Sequence, residues 1–245
     1  MAPYVFVSYQ RSDDPQAVAR LRDALNHSLG ADAVFVDETG IKGGAQWQQV
    51  IKQSIAGSDI VLVVMGDRWD GNRFTDPVDD VRIEIEDALR LGKTILPVFA
   101  GRGTPPDSSR LPPSIRRVLD SQGMLLRSGG VFDDDLVRIA RRVRELAPAT
   151  LAFDVRPLRG PMFGTVDLRL DGQPIGSFKV RDGGQIAPRR VDVGIHVLDV
   201  HTGSLGLGKS ATIRLDIPPG PSVTTMEYNR ARATWTVTVH PATER

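Results

Sequence analysis

There is no cysteine among the 245 residues, and that single absence removes disulfides, thiolate catalysis and cysteine-ligated metal sites together. Histidine is scarce, limited to His27, His196, His201 and His240. His196 and His201 are five apart across a strand-like run, and a zinc ion held there would still lack two ligands, so no metal is expected. No apolar run approaches the roughly 20 residues that span a bilayer, and Met1-Ala2-Pro3 leads straight into Tyr4-Val5-Phe6-Val7-Ser8 without the architecture of a signal peptide. The expectation is a cytoplasmic chain with no membrane partner. An excess of one charge is missing too. The formal net charge is +1, with 19 basic against 21 acidic residues in 1–146 and 12 against 9 in 151–245. Neither balance has the basic footprint of a nucleic-acid binder.

What is present is 40% hydrophobic residues, enough for two modest cores. Over residues 4–146, short apolar runs alternate with helix-period segments. Strands are expected at 4–8, 33–36, 60–65, 94–99 and 124–126, with helices near 15–29, 46–57, 80–91, 112–121 and 133–146. Such alternation implies an α/β domain with a parallel sheet and helices on both faces. Ligands then sit beyond the carboxyl ends of the strands, where strand order reverses.

The stretch Asp79-Asp80-Val81-Arg82-Ile83-Glu84-Ile85-Glu86-Asp87-Ala88-Leu89-Arg90-Leu91-Gly92 organises this domain. Val81, Ile85, Ala88 and Leu89 share one side of a helical wheel, and Gly92 ends the pattern before the strand at 94. Glu84 lies on the border of the apolar stripe, aimed at a half-buried cleft. Glu86 faces away, four residues from both Arg82 and Arg90, as solvated helix ion pairs do. If one acid here does chemistry, it is Glu84.

The loops at the strand ends carry the remaining polar candidates. After the first strand, Tyr9-Gln10-Arg11-Ser12-Asp13-Asp14-Pro15 supplies a cap and a first-turn proline for the next helix, which accounts for most of its polar residues but not for Arg11. After the second comes Asp37-Glu38-Thr39-Gly40-Ile41-Lys42-Gly43-Gly44-Ala45-Gln46-Trp47, whose glycines can turn amides toward an anion. Trp47 either packs on its own helix, with an inner stripe of Val50, Ile51, Ser54 and Ile55, or stacks on a ligand. The loop 66–78 is long and holds Trp69, which either covers the core or touches a ligand.

The helical period ends in a linker at 147–150, and residues 151–245 change to period two. Val166, Leu168 and Leu170 alternate with polar residues, and Asp171-Gly172 marks a hairpin before Ile175. Further strands are expected at 191–200, 210–217, 223–228 and 233–239. This reads as a small antiparallel β-sandwich that recognises an unknown ligand or protein, or drives assembly.

Taken in order, Phe6-Val7-Ser8-Tyr9-Gln10-Arg11, Val34-Phe35-Val36-Asp37 with the glycine-rich loop, Ser58-Asp59-Ile60-Val61-Leu62-Val63-Val64, and Val81-Arg82-Ile83-Glu84-Ile85-Glu86 leading to Gly92-Lys93-Thr94 make residues 1–146 resemble a bacterial TIR (Toll/interleukin-1 receptor) domain. The resemblance implies a flavodoxin-like fold with a five-stranded parallel sheet. Many members cleave the nicotinamide–ribose bond of NAD+ with the glutamate of a Trp-x-x-x-Glu pattern, which corresponds to Glu84; Asp80 stands at the tryptophan position. By the same resemblance, Ser8, Tyr9, Arg11, Asp37, Gly43, Gly44, Trp47 and Trp69 would surround the nucleotide, with NAD+ as substrate and no separate cofactor. Self-association through the TIR domain and its glycine-rich BB loop is implied as the activating step, in a setting of bacterial immune signalling.

The chemistry suits this inventory, because nicotinamide in NAD+ is already a cationic leaving group that needs no general acid, metal or thiol. The competing reading is a non-catalytic TIR adaptor acting through homotypic contacts, in which Glu84 is an ordinary helix-border acid. A phospho-acceptor receiver fits less well, since the loop after the first strand lacks paired acids for magnesium.

Overall fold

The computed structural model describes residues 4–37, 45–67, 69, 73–157, 164–203, 209–229 and 234–242. The chain divides into two compact units, Met1–Ala147 and Pro148–Arg245.

In the first unit, β1 (Val5–Tyr9), β2 (Val34–Val36), β3 (Ile60–Met65), β4 (Thr94–Gly101) and β5 (Met124–Arg127) form an all-parallel sheet in the order β2-β1-β3-β4-β5. This is the doubly wound order of flavodoxin-like folds, in which the chain reverses direction across the sheet beside β1. All six residues of β3, Ile-Val-Leu-Val-Val-Met, are buried, as a central strand covered on both faces requires.

Among the described residues, five α-helices cover the sheet: α1 (Pro15–Leu29), α2 (Ala45–Gly57), α3 (Asp80–Arg90), the short α4 (Pro113–Arg116) and α5 (Phe132–Leu146). On one face, Leu21 and Leu25 of α1 and Ile139 and Val143 of α5 pack on Val5, Val7, Leu62 and Val98. On the other, Ile55 of α2, Val81, Ile85 and Ala88 of α3, and Ile115 of α4 pack on Phe6, Val61, Val63 and Met65.

Local chemistry fixes the helix ends. Asp14 caps α1 by accepting from the Ala17 amide at 3.0 Å, with Pro15 in the first turn. Asp79 caps α3 by accepting from the Arg82 amide at 3.0 Å. Lys93 closes the far end of α2, donating to the carbonyls of Ala56 at 2.6 Å and Ser58 at 2.8 Å.

Two helix expectations need correction. The segment expected as one helix at 112–121 is a single α turn started by Pro112-Pro113, followed by a 3-10 turn over Arg117–Asp120. In α2, Ile51, Ser54 and Ile55 turn inward as expected, but Val50 is exposed and Trp47, one turn before Ile51, extends the stripe instead.

Among its described residues, the second unit contains two four-stranded sheets. One has the order β11-β10-β7-β8, built from β7 (Thr165–Leu170), β8 (Gln173–Lys179), β10 (Gly194–Gly203) and β11 (Lys209–Ile217). The other has the order β13-β12-β6-β9, built from β6 (Thr150–Val155), β9 (Gly184–Arg190), β12 (Pro221–Asn229) and β13 (Thr234–Pro241). Leu151, Phe153 and Met226 from one sheet and Val166, Leu168, Leu198 and Val200 from the other share one core. The β7–β8 hairpin turns at Asp171-Gly172, both at positive φ (50° and 78°), the geometry of a two-residue primed turn.

Two features depart from the expected antiparallel sandwich. Strand β6 was not expected at all; it begins at Thr150, inside the expected linker, and pairs in parallel with β12. Strand β9 lies where no strand was expected. Among the described residues, no helix is long and apolar enough to cross a membrane.

Candidate active site

Strand β1 alternates its side chains across the sheet. Val5 and Val7 face α1 and α5, whereas Phe6 packs on the α2/α3 face. Ser8 follows Phe6 by two residues and therefore emerges on the α3 side, at the carboxyl end of the sheet. There its hydroxyl donates to Oε2 of Glu84 at 2.5 Å. Ser8 is fully buried and Glu84 is 8% exposed, so the acid is more enclosed than its place on the helical wheel implies. Its neighbours Ile85 and Ala88 are drawn fully into the core, and that rotation carries Glu84 over β1.

The environment sets its protonation. Burial pushes the Glu84 carboxyl up to about 8; the Ser8 hydrogen bond works against this, while Asp37, Asp80 and Asp79 reinforce it. Glu86 behaves oppositely. Hydrogen bonds from Arg82 and Ser114 hold it below the usual carboxylate range, and Arg82 Nε reaches its Oε1 at 2.8 Å.

Glu84 lines a cleft of about 510 Å³ between α2 and α3, a size ordinary for small-molecule sites. Among the described residues, the walls carry Asp37, Asp76, Asp79, Asp80, Glu84 and Asp87 against Lys52 and Arg73. Such a lining favours a cationic group. Trp47 supplies an aromatic wall, its ring 6.5 Å from Phe35, which in turn stacks on Phe6 at 5.6 Å. The Trp47 indole N–H is buried and has no hydrogen-bond partner among the described residues.

The loop before α3 is tied to that helix. Arg73 pairs with Asp79, and Arg82 Nη1 donates to the Phe74 carbonyl at 2.9 Å. At the opposite rim, Arg11 pairs with the Asp37 carboxylate at 2.8 Å and also donates to its carbonyl at 3.0 Å.

Of the residues singled out in the sequence, the structure brings together Ser8, Glu84, Asp37 and Trp47, with Arg11 behind Asp37. Tyr9 does not join them, because the strand period turns it toward the α1/α5 face. Trp69 is 8% exposed and packs on Phe74 with ring centroids 4.6 Å apart, a core role away from the cleft lining. Gly43 and Gly44 lie outside the described residues. Sequence reasoning missed Lys52, Arg73, Asp76 and Asp87. The first and last follow from helical spacing, Lys52 one turn after Gln48 and Asp87 one turn after Ile83. The other two come from a loop whose path has no periodic signal. Among the described residues, no group of three His, Asp or Glu side chains is arranged to hold a metal ion.

Residues 5–124 match the family model described as TIR domain. Among solved structures, the chain is similar to the TIR domains of the activated Roq1 resistosome that recognises the pathogen effector XopQ. The identity is 18% and the TM-score 0.43, over 57% of this chain and 98% of that one. It is also similar to the TIR domain of the Toll-related receptor TRR-2 from Hydra magnipapillata, with 20% identity and a TM-score of 0.36 over the same shares, 57% and 98%. No curated protein matches the chain.

Proposed function

Since residues 5–124 belong to the TIR domain family, we propose that the amino-terminal unit is an NAD+ glycohydrolase with Glu84 as its catalytic residue and no separate cofactor. The observation that carries this reading is a buried carboxyl in the wall of an acid-lined cleft at the carboxyl edge of the sheet, held in place by Ser8.

In this reading the nicotinamide riboside half of NAD+ enters the cleft, its positive charge matched to the surrounding carboxylates. The bond between the ribose C1′ and the nicotinamide nitrogen breaks with its electron pair leaving to the ring, which departs neutral. The positive charge passes to the ribose, and the ionised Glu84 steadies that oxocarbenium-like centre. Water adds at C1′ and loses a proton, giving ADP-ribose; capture by an adenine nitrogen instead gives a cyclic isomer. Ser8 orients the carboxylate and favours its ionised form, Trp47 offers a face for ring stacking, and Arg11 fixes Asp37 at the rim. Clustering of protomers through the TIR unit is the activating step, in a cytoplasmic setting.

The second reading is a non-catalytic adaptor. It is favoured by one observation: a carboxyl raised to about 8 is mostly neutral near pH 7, as a purely structural buried acid would be. Incubating concentrated protein with NAD+ and quantifying nicotinamide separates the two. Release from the wild type that is lost in Glu84→Gln and kept in Glu86→Ala supports the hydrolase, and no release under crowded or crosslinked conditions overturns it.

A further inference from the structure

The lateral edges of the sheets differ in how they are protected. A strand edge presents unpaired N–H and C=O groups, and natural proteins guard such edges with short length, charge, proline or bulges. Strands β2 and β5 are three and four residues long. Strand β8 contains Pro174 and Gly176, and its register with β7 shifts between Leu168 and Arg169. Strand β9 carries Pro188, Arg189 and Arg190 and a second register shift, between Leu151 and Phe153. Strand β11 exposes Arg214 and Asp216.

Strand β13 lacks these guards from Thr234 to His240 and meets a proline only at its last residue, Pro241. It runs from Thr234 to Pro241 in unbroken register with β12 over eight residue pairs. Thr234-Trp235-Thr236-Val237-Thr238-Val239 contains no charge, no proline and no glycine. Trp235, Val237 and Val239 pack toward the core, while Thr234, Thr236 and Thr238 are exposed. Among the described residues, no strand is hydrogen-bonded to its outer edge, although β11 of the other sheet comes close to it without pairing.

We propose that the outer edge of β13 is a self-association surface, pairing antiparallel with β13 of a second copy of this chain. The occupant follows from the sequence of the strand. An antiparallel two-fold pair keeps inward residues opposite inward residues only when it is centred on a residue. Centred on Val237, it sets Val237 against its own copy, Thr236 against the second copy's Thr238, and Trp235 against the second copy's Val239. Every pair is β-branched or aromatic, the combinations that stabilise cross-strand contacts, and no like charges meet. The inner apolar stripe would then continue from one sandwich into the next. Such pairing closes as a dimer and, among the described residues, leaves no further unguarded edge for growth into a fibre.

Eight residues span only about 26 Å, short of the area that makes a permanent dimer, so the association is reversible and depends on concentration. Dimers formed this way would raise the local concentration of the TIR units without drawing on any contact between those units.

Sedimentation of the full chain tests the pairing. Wild type should move from monomer toward dimer mass as concentration rises. Thr236→Lys/Thr238→Lys should stay monomeric with an unchanged circular dichroism spectrum and melting temperature, and so should Thr236→Glu/Thr238→Glu. An equimolar mixture of the two should dimerise at least as tightly as wild type, because each lysine then faces a glutamate. Glu84→Gln should associate as wild type does, so the fate of the proposed catalytic group and that of β13 are read separately. The pairing is overturned if wild type stays monomeric throughout, if the lysine variant associates like wild type, or if the folded, oppositely charged variants fail to combine.

Discussion

Ser8 and Glu84, 76 residues apart in sequence, meet at 2.5 Å where β1 ends beneath α3. The contact joins a fully buried hydroxyl, which favours the ionised carboxylate, to an acid that burial pushes more strongly toward its neutral form. Most of the expected behaviour of the site follows from the balance between these two effects.

Replacing Glu84 by Gln should lower nicotinamide release about 10²–10³-fold, the scale of losing one preorganised electrostatic group. Glu86→Ala should stay within about threefold of wild type, because Glu86 serves a helix-surface pair with Arg82. Product quantification at saturating NAD+ checks both. Equal losses in the two variants would mean the helix, rather than the carboxylate, matters.

With Glu84 raised to about 8 from an ordinary 4.5, kcat/KM should climb with pH and level off above about 8, since only the ionised form steadies the ribose cation. Stability should move the other way. Between 4.5 and 8 the folded state keeps a proton that the unfolded chain has released, so the contribution is complete below 4.5 and is lost as pH rises through about 8. The total is on the order of 5 kcal/mol. Urea unfolding across this range should show the slope in wild type and lose it in Glu84→Gln.

Ser8→Ala and Asp37→Asn should shift the activity profile in opposite directions. Ser8 favours the ionised carboxylate and Asp37 opposes it, so the first variant moves the rising limb alkaline and the second moves it acidic. At pH 7, Ser8→Ala should cost about tenfold in kcat/KM. A pH–rate series on the two variants decides the matter, and a shared direction would contradict the assignment.

In the second unit, His196 is bonded at both ring nitrogens, Nδ1 to Asp171 Oδ2 at 2.6 Å and Nε2 to the Asp192 carbonyl at 2.8 Å. Two acceptors suit the imidazolium. The Asp171 bond leads in raising the His196 pKa, and the Val197 amide leads in lowering that of Asp171. The histidine contribution is therefore complete below its ordinary 6.5 and lost as pH rises past its raised value; the aspartate contribution is lost as pH falls. Because Asp171 is half exposed, the pair should be worth no more than about 1 kcal/mol. Trp235, left as sole indole by Trp47→Phe and Trp69→Phe, reports unfolding of this unit, and His196→Ala should flatten the alkaline decline.

The sequence carried the first unit well because its strands are buried runs and its helices are amphipathic, and both patterns have a period. The bounds of α1 and β3 follow from Asp14-Pro15 and from six consecutive apolar residues. Glu84 was legible through helix phase, but its depth was not, since that depends on Ser8 in another strand. Tyr9 was misplaced because a motif puts adjacent residues together while a strand sends them to opposite faces. Strand β9 was invisible: Pro188, Arg189 and Arg190 erase the alternation that marks a half-buried strand, and these are the same residues that guard an edge. The acidity of the cleft was also hidden, since Asp37, Asp76 and Asp87 come from three elements.

The parallel pairing of Thr150–Val155 with Pro221–Met226 has a consequence for synthesis. A ribosome delivers β6 some seventy residues before its neighbour, so the sheet that holds them cannot close until β12 has emerged. The first unit, all five of whose sheet strands precede β6, is by then free to fold. A ribosome stalled before residue 221 would thus display a finished amino-terminal half trailing an unsealed one, a state that a protease pulse on nascent chains would reveal.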